Sequence, residues 1–590
     1  MINGRLRTLR GYMQKNLLDA IIIPSSDPHQ SEYVAEYWAT REWISGFTGS
    51  AGLIVVTQEN AGLWTDSRYF LQAEEQLAGT DIELHKVIKR SVPSQLYWLR
   101  DNLPENAIVG IDGYVFSKAA YDKIVKILGE KNISVKLIND FISEVRTDRK
   151  PLPKNQVFSH NINYAGISVS EKLASVRELM KEAKADYHLI ATLDDIAWTL
   201  NLRGSDVELN PVFISYLIIG IETCTLFIDD TKLDSNIKSL LEDDAIHTQS
   251  YNSVLKYLQE LDSSQRIIID NSTTNVALYQ SIVNASILHR TLITKELKAQ
   301  KNEVELSNFR QCMVRDGLAL THAFMWLEAE LNSRTVSEYE FASKIASCRS
   351  DQDHYHDESF YAIVGYQENG AIIHYRPKAE TSAAIQQEGL LLVDSGGQYL
   401  DGTTDITRTI GLGEVEGSIK EGYTAVLKGM IALSMARFPA GTTGAQLDIL
   451  ARQHLWSQGK NFLHGTGHGV GFFLNVHEGP QGIVAGKTQQ AQTAFLPGMV
   501  TSNEPGYYVD GEYGIRIENL IVCIPSEHED YLEFETITYF PIDTKLIVSS
   551  MMTKQEIIWL NAYHEMVYDK LSPHLDDNAK LWLEEKCKVL

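Results

Sequence analysis

Short apolar runs alternate with amphipathic stretches over the first 80 residues of the chain. The run at residues 20–24 ends in proline and is typical of a buried strand. Apolar stretches at 53–57 and 62–66 flank a polar turn, so they predict a β-hairpin. A helix is expected to follow over residues 67–77. Strands and helices that interleave in this way favour an α/β domain.

The same order of elements returns near residue 170. A helical stretch at 171–185 precedes an expected strand at 187–192, and two further strands are expected at 213–219 and 224–228. The order and the spacing match those of the first copy, although few residues are identical. We therefore interpret this half of the chain as two divergent copies of one domain.

Two boundaries divide the chain. The polar, proline-containing stretch at 147–155 indicates the first linker. A long helical pattern begins near Glu303, which places the second boundary between residues 294 and 301. The predicted domains are residues 1–153, 154–298 and 299–590. Residues 553–590, at the end of the third domain, are expected to form charged amphipathic helix.

Composition narrows the class of protein. The 590 residues are 44% apolar and 22% charged, which excludes a largely disordered chain. The net charge of −24 is a poor match to a phosphate backbone, so no nucleic-acid partner is expected. Five scattered cysteines without a C-x-x-C motif favour a reducing compartment, which we expect to be the cytoplasm. With no secretory signal and no apolar run of spanning length, no membrane partner is expected.

Two aspartates follow an apolar run in the third domain. Asp394 comes directly after the run at 390–393, at the end of a predicted strand, and Asp405 comes eleven residues later. Two strands joined by a turn could bring both carboxylates together. Taken singly, each aspartate is more often a turn or capping residue.

Two glutamates lie in later strand patterns. Glu504 lies in the stretch VTSNEPGYY (500–508), and Glu518 stands between isoleucine and asparagine. Alternation along residues 515–520 places Arg516 and Glu518 on one face of a predicted strand. A glutamate in such a position is costly to bury unless its charge is compensated. The alternative is the solvent face of an antiparallel strand.

Histidines and glycines are concentrated in residues 464–471, HGTGHGVG. The glycines allow the backbone to approach another group closely, which suits a structural role as well as a functional one. Four carboxylates and a histidine gathered in one place would need a counter-charge. Two divalent ions would supply it, and oxygen-rich ligation with one imidazole suits Mn²⁺ and accepts Co²⁺ or Zn²⁺. Two such ions about 3.5–4 Å apart can share a bridging hydroxide and polarise a carbonyl.

The third domain resembles the pita-bread catalytic domain of the metallopeptidase family that includes methionine aminopeptidase, prolidase and aminopeptidase P. The family's five metal ligands are matched in order and type by Asp394, Asp405, His468, Glu504 and Glu518. The sequences NGAIIHYRP (369–377), FLNVHEGP (473–480) and WTDSRYF (64–70) resemble the Xaa-Pro aminopeptidase branch. The length of the chain and the repeated N-terminal half resemble the long, three-domain cytosolic type.

The resemblance implies an α/β (α+β) fold, with two creatinase-type domains before a pita-bread metallopeptidase domain. It implies hydrolysis of an N-terminal Xaa-Pro bond by a dinuclear centre with a bridging hydroxide, and a homodimer. Asp394 would be bidentate to one ion, Asp405 and Glu518 would bridge, and His468 with Glu504 would complete the other ion. Implied roles are a proton shuttle for Glu504, contacts to the substrate and the tetrahedral intermediate for His374 and His477, a lining position in the pocket for His464, and a substrate contact for Arg68.

The resemblance also indicates residues that support the ligands. Arg516 and Tyr508 are expected to hold the ligand geometry. Asn503 stands where relatives often carry aspartate. We expect this difference to alter the contacts that support the ligands without abolishing activity.

Three alternatives share the fold. A prolidase would act on dipeptides only, and prolidases usually have one N-terminal domain where this chain has two. A creatinase-type enzyme lacks the metal ligands that are complete here. Pita-bread domains that serve as binding modules, such as histone chaperones and ribosome-associated factors, have generally lost those ligands. Metal content separates an enzyme from a binding module, and turnover of dipeptides against tripeptides separates the two peptidases.

Overall fold

The computed structural model describes residues 2–88 and 92–590. The chain divides into two compact units. The N-terminal unit comprises Met1–His160 and Ile167–Lys295, and the C-terminal unit comprises Asn161–Gly166 and Glu296–Leu590. The predicted boundary near residue 153 lies within the N-terminal unit, and the three predicted domains stay a prediction.

The N-terminal unit begins with a mixed sheet whose strand order is β4-β3-β2-β1-β5-β6. Its strands are β1 (Ala20–Pro24), β2 (Leu53–Thr57), β3 (Ala61–Asp66), β4 (Glu83–Val87), β5 (Ile108–Ile111) and β6 (Ser134–Leu137). Its helices are α1 (Ile2–Lys15), α2 (Thr40–Ser45), α3 (Phe70–Leu77), α4 (Ser94–Asn102), α5 (Lys118–Gly129) and α6 (Ile142–Val145). The predicted hairpin is confirmed, since β2 and β3 pair antiparallel. The helix expected from residue 67 begins at Phe70, because Asp66 first forms a turn in which its Oδ1 accepts the backbone N–H of Arg68.

A second sheet in this unit has the order β12-β11-β10-β8-β13-β14. The strands of this stretch are β7 (Phe158–Ser159), β8 (Tyr187–Ile190), β9 (Leu202–Arg203), β10 (Ser215–Gly220), β11 (Cys224–Ile228), β12 (His247–Gln249), β13 (Arg266–Ile269) and β14 (Ser286–His289). The helices are α8 (Val169–Glu182), α9 (Leu193–Thr199), α10 (Ser235–Asp243), α11 (Val254–Gln259), α12 (Val276–Ser281) and α13 (Ile293–Ala299), whose residues from Glu296 onward belong to the C-terminal unit, as does all of α7 (Ile162–Ala165). Parallel and antiparallel pairs follow one another as in the first sheet. The predicted repeat is therefore confirmed.

Helices of the C-terminal unit surround its sheets. They are α14 (Glu303–Leu331), α15 (Glu338–Ser350), α16 (Gly417–Ser434), α17 (Gly444–Trp456), α18 (Gln489–Gln492), α19 (Lys554–Leu571) and α20 (Asp577–Lys586). The predicted start of α14 is confirmed, and Asn302 and Glu305 form a capping box there. The C-terminal stretch predicted as helix forms α19 and α20, because Pro573 interrupts it. No helix of the described residues is long and apolar enough to cross a bilayer.

Antiparallel strands form the centre of this unit. They are β15 (Val336–Ser337), β16 (Tyr355–Glu358), β17 (Ile363–Tyr366), β18 (Ala384–Ile385), β19 (Leu390–Ser395), β20 (Gly397–Tyr399), β21 (Gly402–Thr403), β22 (Ile406–Gly411), β23 (Arg437–Pro439), β24 (Gly467–Gly469), β25 (Glu478–Ile483), β26 (Val500–Asn503), β27 (Gly506–Val509), β28 (Tyr513–Arg516), β29 (Asn519–Pro525) and β30 (Tyr531–Thr536). One sheet has the order β17-β19-β22 and another β23-β30-β29-β26-β24-β25. Phe309, Val426, Leu520 and Leu560 belong to the apolar core that fixes these strands against α14, α16 and α19.

The strand predicted over residues 515–520 is wrong as a continuous element. β28 ends at Arg516 and β29 begins at Asn519. The two residues between them bond to different neighbours, since the N–H of Ile517 donates to Pro505 and that of Glu518 donates to Thr407. The backbone thereby leaves one sheet and joins the next at Glu518.

Candidate metal centre

Strand pairing explains how residues far apart in sequence meet. Asp394 lies within β19, opposite Thr407 of β22, and Asp405 directly precedes β22. β24 carries His468 and pairs with β26, after which Glu504 follows. β26 in turn pairs with β29, which Glu518 directly precedes. Neighbouring strands therefore deliver all five predicted ligands to one region of the C-terminal unit.

His468 lies among the carboxylates. Its Nε2 is 3.4 Å from Oδ2 of Asp405 and 3.6 Å from Oε1 of Glu504. One ligand atom each from Asp405, His468 and Glu518 lies within 4.8 Å of the other two. Nδ1 of His468 is 3.0 Å from the carbonyl of Gly469, to which it donates, so Nε2 is the ring nitrogen that faces the carboxylates and that a cation would bind in place of a proton.

Asp394 is held from the opposite side by Arg516. Its Oδ2 accepts from Nη2 of Arg516 at 2.6 Å and from Nε at 3.2 Å. Its Oδ1 is buried and has no hydrogen-bond partner among the described residues. Buried carboxylate oxygens are normally satisfied, so this oxygen is fitted to a group that binds there.

The site holds more negative charge than its own cations neutralise. Burial and the neighbouring Asp405 raise the pKa of Asp394 to about 7, although Arg516 acts in the opposite direction. Burial also raises the pKa of Glu504 and of Glu518, with Asp405 adding to both. Full ionisation of these carboxylates therefore requires additional positive charge. Oxygen donors with one imidazole fit divalent cations, as expected from the sequence.

The charge of His468 follows its neighbours. Burial alone would lower its pKa, but the hydrogen bond to Asp405 and the charge of Glu504 raise it to about 9. A bound divalent ion at Nε2 would take the place of that proton. The surroundings of this imidazole are thus built for a positive charge.

Thr407 and Ser502 were not singled out from the sequence, yet both bond to ligands. Thr407 Oγ1 donates to Oε2 of Glu518 at 2.8 Å and accepts from Nε of Arg516 at 3.1 Å. Ser502 Oγ donates to Oε1 of Glu504 at 3.2 Å and accepts the backbone N–H of His468 at 2.9 Å. Thr407 lies two residues from Asp405, and Ser502 two residues from Glu504. Residues two apart along a strand lie on the same face, so this spacing could have indicated both from the sequence.

Arg516, Tyr508 and His464 form a connected row of polar side chains. Nη1 of Arg516 donates to the hydroxyl of Tyr508 at 2.7 Å. Nε2 of His464 is 2.8 Å from the same hydroxyl, and its Nδ1 is 2.7 Å from the carbonyl of Gly465. His464 is therefore joined to Asp394 through Tyr508 and Arg516. Its expected position as a lining residue of the pocket stays a prediction.

His477 and His374 lie beside this arrangement. The ring of His477 is perpendicular to that of His468, with 4.3 Å between their centroids. His374 follows Ile373, whose carbonyl is 3.4 Å from Nη2 of Arg516. Both histidines therefore have a neighbour in the ligand network, and their contacts with substrate stay a prediction.

Arg68 belongs to the N-terminal unit. Its Nε and Nη2 each lie 2.9 Å from an oxygen of Asp66, which makes a bidentate pair. The guanidinium also lies 5.2 Å from the centroid of the Tyr69 ring. These contacts fix the guanidinium on the turn after β3, and its role toward substrate stays a prediction.

Asn503 directly precedes Glu504 and bonds to a helix; its effect on activity stays a prediction. Its Nδ2 donates to the carbonyl of Met430 at 2.8 Å and to Oγ of Ser434 at 3.0 Å. Both partners lie on α16, so Asn503 anchors β26 to that helix. The position needs a donor for the carbonyl, which an amide supplies and an ionised aspartate does not.

Family models match consecutive parts of the chain. Residues 5–147 and 148–305 each match a creatinase/prolidase N-terminal domain. Residues 307–525 match metallopeptidase family M24, and residues 530–590 match the C-terminal region of peptidase M24.

Relatives match almost the whole chain. "Aminopeptidase P2" of Arabidopsis thaliana is 41% identical over 614 residues, which covers 97% of this chain and 86% of the relative. "Xaa-Pro aminopeptidase 1" of Dictyostelium discoideum is 40% identical over 613 residues, which covers 100% of this chain and 97% of the relative. A solved structure, the X-prolyl aminopeptidase of Caenorhabditis elegans described as a cytosolic enzyme with a di-nuclear active site, matches with a TM-score of 0.96 and 33% identity over 100% of both chains. The chain therefore belongs to the Xaa-Pro aminopeptidases of metallopeptidase family M24.

Proposed function

We propose that this protein is a metalloaminopeptidase that hydrolyses the bond between an N-terminal residue and proline. One observation supports this function above all. The five residues that match the family's ligands lie together, and Oδ1 of Asp394 is buried there without a hydrogen-bond partner among the described residues. We expect Mn²⁺ at both metal positions, with Co²⁺ or Zn²⁺ as alternatives. Relatives named Xaa-Pro aminopeptidase support the substrate class.

Five side chains would hold the ions: Asp394, Asp405, His468, Glu504 and Glu518. When bound, the pair would supply a bridging hydroxide and polarise the scissile carbonyl. Thr407 and Ser502 would keep Glu518 and Glu504 in place through the hydrogen bonds that they already donate.

Glu504 is the residue that we expect to move a proton. The nitrogen of an Xaa-Pro bond carries no hydrogen and must gain a proton to leave as a secondary amine. Burial raises the pKa of Glu504 above that of a free carboxyl group, which favours its protonated form. Its place beside His468 keeps it within the ligand cluster while it passes that proton on.

His374 and His477 would bind the oxygen on which negative charge develops during attack. The free amino terminus of the peptide would lie near the acidic cluster, and Arg68 would contact the substrate. A pyrrolidine ring after the scissile bond requires an apolar surface where other aminopeptidases bind an N–H. Specificity for proline would follow because the site would offer an apolar surface to the ring in place of a partner for an N–H.

Compartment and assembly are part of the same proposal. All five cysteines are free, which suits a reducing compartment. A similar solved enzyme is described as cytosolic. We propose a cytoplasmic homodimer on these grounds and on the family resemblance.

A peptide panel with added Mn²⁺ tests the function. Arg-Pro-Pro should be cleaved, Arg-Ala-Pro poorly, and N-acetyl-Arg-Pro-Pro not at all. Cleavage of the dipeptide Arg-Pro without the tripeptide would favour a prolidase instead. Equal turnover of the proline and alanine peptides would reject the specificity, and no turnover with Mn²⁺ bound would reject the activity. Asp405→Asn is the matched control, because it removes one ligand oxygen at nearly constant shape.

A further inference from the structure

Glu338 is a carboxylate that the proposed chemistry does not use. It is the first residue of α15 and is 0% exposed to solvent. No lysine, arginine or histidine nitrogen of the described residues pairs with it. A buried carboxylate in this state is retained only where hydrogen-bond donors surround it.

Four donor groups surround Glu338, and all come from residues 366–383. They are the N–H of Tyr366 at 2.7 Å, Nδ2 of Asn369 at 2.9 and 3.1 Å, the hydroxyl of Tyr375 at 2.7 Å and the N–H of Ala383 at 2.7 Å. The N–H of Glu338 itself donates to the carbonyl of Ala383 at 3.0 Å. The start of a helix also favours a negative charge at this place. One carboxylate thus accepts hydrogen bonds from both ends and from the middle of the segment 366–383.

His374 lies in the middle of that segment. The residue after it, Tyr375, bonds to Glu338, and the carbonyl of the residue before it, Ile373, lies 3.4 Å from Nη2 of Arg516. The turn before it packs tightly on β28. The contact is so close that a Cβ added at Gly514 would lie only 1.8 Å from the carbonyl oxygen of Gly370. The backbone around His374 is therefore fixed between Glu338 on one side and the Arg516 strand on the other.

We propose that Glu338 is a positioning residue that sets His374 for the reaction. This inference rests on the proposed function, in which His374 binds the developing oxyanion. Glu338 needs to be an acceptor at both oxygens, since an amide in its place would direct its NH2 group either at the two donors that bond to Oε1 or at the three that bond to Oε2. A displacement of about 1 Å at such a group lowers turnover by roughly 10²-fold.

Kinetics of two variants test the role, with a matched control. We expect Glu338→Gln to lower kcat for Arg-Pro-Pro by roughly 10²-fold with little change in KM and with full Mn²⁺ content. Tyr375→Phe removes one hydroxyl and should lower kcat in the same direction. Glu556→Gln is the control: Glu556 lies in the first turn of α19, bonded to Lys428, and its loss should lower the melting temperature while kcat stays at the wild-type value. Normal kcat in both test variants would overturn the proposal.

A double-mutant cycle separates positioning from general damage. If Glu338 acts through His374, adding Glu338→Gln to His374→Ala should lower kcat by less than about 3-fold, because coupled residues are not additive. If Glu338→Gln lowers kcat in the His374→Ala background by as much as it does in the wild type, Glu338 acts through another residue. If Glu338→Gln does not fold, the same cycle is run with Tyr375→Phe, and additivity there overturns the proposal equally.

Hydrogen exchange provides a readout that needs no activity. In the metal-free protein, Glu338→Gln should speed deuterium uptake across residues 366–383, and Glu556→Gln should not. Unchanged uptake in this segment would overturn the role of Glu338. Absence of peptidase activity in the wild type would reject the proposed function, and the exchange data would still report on Glu338, so the two failures are distinguishable.

Discussion

The hydroxyl of Tyr508 donates to Nε2 of His464 across 2.8 Å. Nδ1 of His464 bonds to a carbonyl and so carries a proton, and in the neutral ring Nε2 is then the acceptor. Burial raises the pKa of Tyr508 to about 12, so its hydroxyl remains protonated and can also accept from Arg516. Tyr508 thereby transmits the position of His464 to the guanidinium that holds Asp394.

Tyr508→Phe removes that link and keeps the ring. We expect kcat to fall by roughly 10- to 100-fold, the usual effect of losing a partner behind a metal ligand, because Arg516 loses one of its fixed contacts. Metal content and kcat are measured together. Tyr507→Phe is the control on the neighbouring residue, whose ring packs on Gly422 of α16. Equal kcat in the two variants would contradict the role of Tyr508.

Glu504→Gln keeps the shape of the side chain and removes the base. We expect turnover to fall by ~10²-fold or more, the scale of general acid–base catalysis. Mn²⁺ content is determined on the same sample by elemental analysis. Near-normal turnover with both ions bound would place the proton shuttle on another residue.

Removal of the metal should lower the melting temperature. Without cations, too little positive charge lies near Asp394, Glu504 and Glu518 to stabilise all three in the ionised form, and their pKa values are raised accordingly. An ion at 100 times its Kd adds about 2.7 kcal/mol to the free energy of unfolding by mass action. Chelation followed by calorimetry, with and without Mn²⁺, measures this difference. Asp405→Asn should lose most of the Mn²⁺-dependent shift, and an identical melt after verified chelation of the wild type would exclude the metal pair.

Glu478 is the centre of a buried ion cluster next to His477. Its Oε2 is 3.1 Å from Nζ of Lys298, its Oε1 pairs with Nζ of Lys301, and the three side chains are 1–2% exposed. Glu478→Gln would leave two buried ammonium groups facing an amide. We expect the free energy of unfolding to fall by about 3–5 kcal/mol, as when one partner of a buried pair is removed. Glu260→Gln, in an exposed pair with Lys256, is the denaturation control and should change it by less than about 1 kcal/mol.

His188 should make the N-terminal unit sensitive to acid. Its Nε2 accepts the N–H of Ile293 at 3.3 Å, and burial lowers its pKa to about 4. Below pH 6.5 the unfolded chain takes up a proton that the folded chain refuses until about pH 4, so stability falls across this window. The loss between pH 7 and pH 5 is about 2 kcal/mol for this group.

His188→Gln keeps an acceptor for Ile293 and removes the titration. Denaturation at pH 7 and at pH 5 should show a smaller acid-induced loss for this variant than for the wild type. His247→Gln, in an exposed position on β12, controls for the loss of an imidazole. Identical losses in His188→Gln and the wild type would exclude His188 as the source.

The sequence was informative where chemistry and local pattern coincide. Asp394 and Asp405 could be paired in advance because β19 and β22 are neighbouring antiparallel strands, although the connection between them forms the further pair β20 and β21. The repeat in the N-terminal half was visible because each copy preserves its order of apolar runs. The family resemblance then supplied the ligand set, which local periodicity alone would have left among several alternatives.

Contacts that arise from tertiary bonding were beyond the sequence. The break between Arg516 and Asn519 exists because Glu518 bonds to Thr407 on another strand. The partners of Glu338 extend to Ala383, and two of the four are backbone groups, which leave no trace in residue type. The contact of Asn503 was beyond the sequence for the same reason, since nothing nearby in sequence indicates the carbonyl of Met430.

Residues Asn161–Gly166 have a consequence for how the peptidase half can be made. They belong to the C-terminal unit, where Nδ2 of Asn302 donates to the carbonyl of Ala165 at 2.9 Å and Nδ2 of Asn308 to that of Asn163 at 3.1 Å. On the ribosome this hexapeptide emerges before the whole second repeat, well ahead of the helix that it covers. A gene fragment that starts at Glu296 omits the hexapeptide and the hydrogen bonds that it accepts from Asn302 and Asn308. We therefore expect that half to be more stable when the hexapeptide is supplied in trans or by circular permutation.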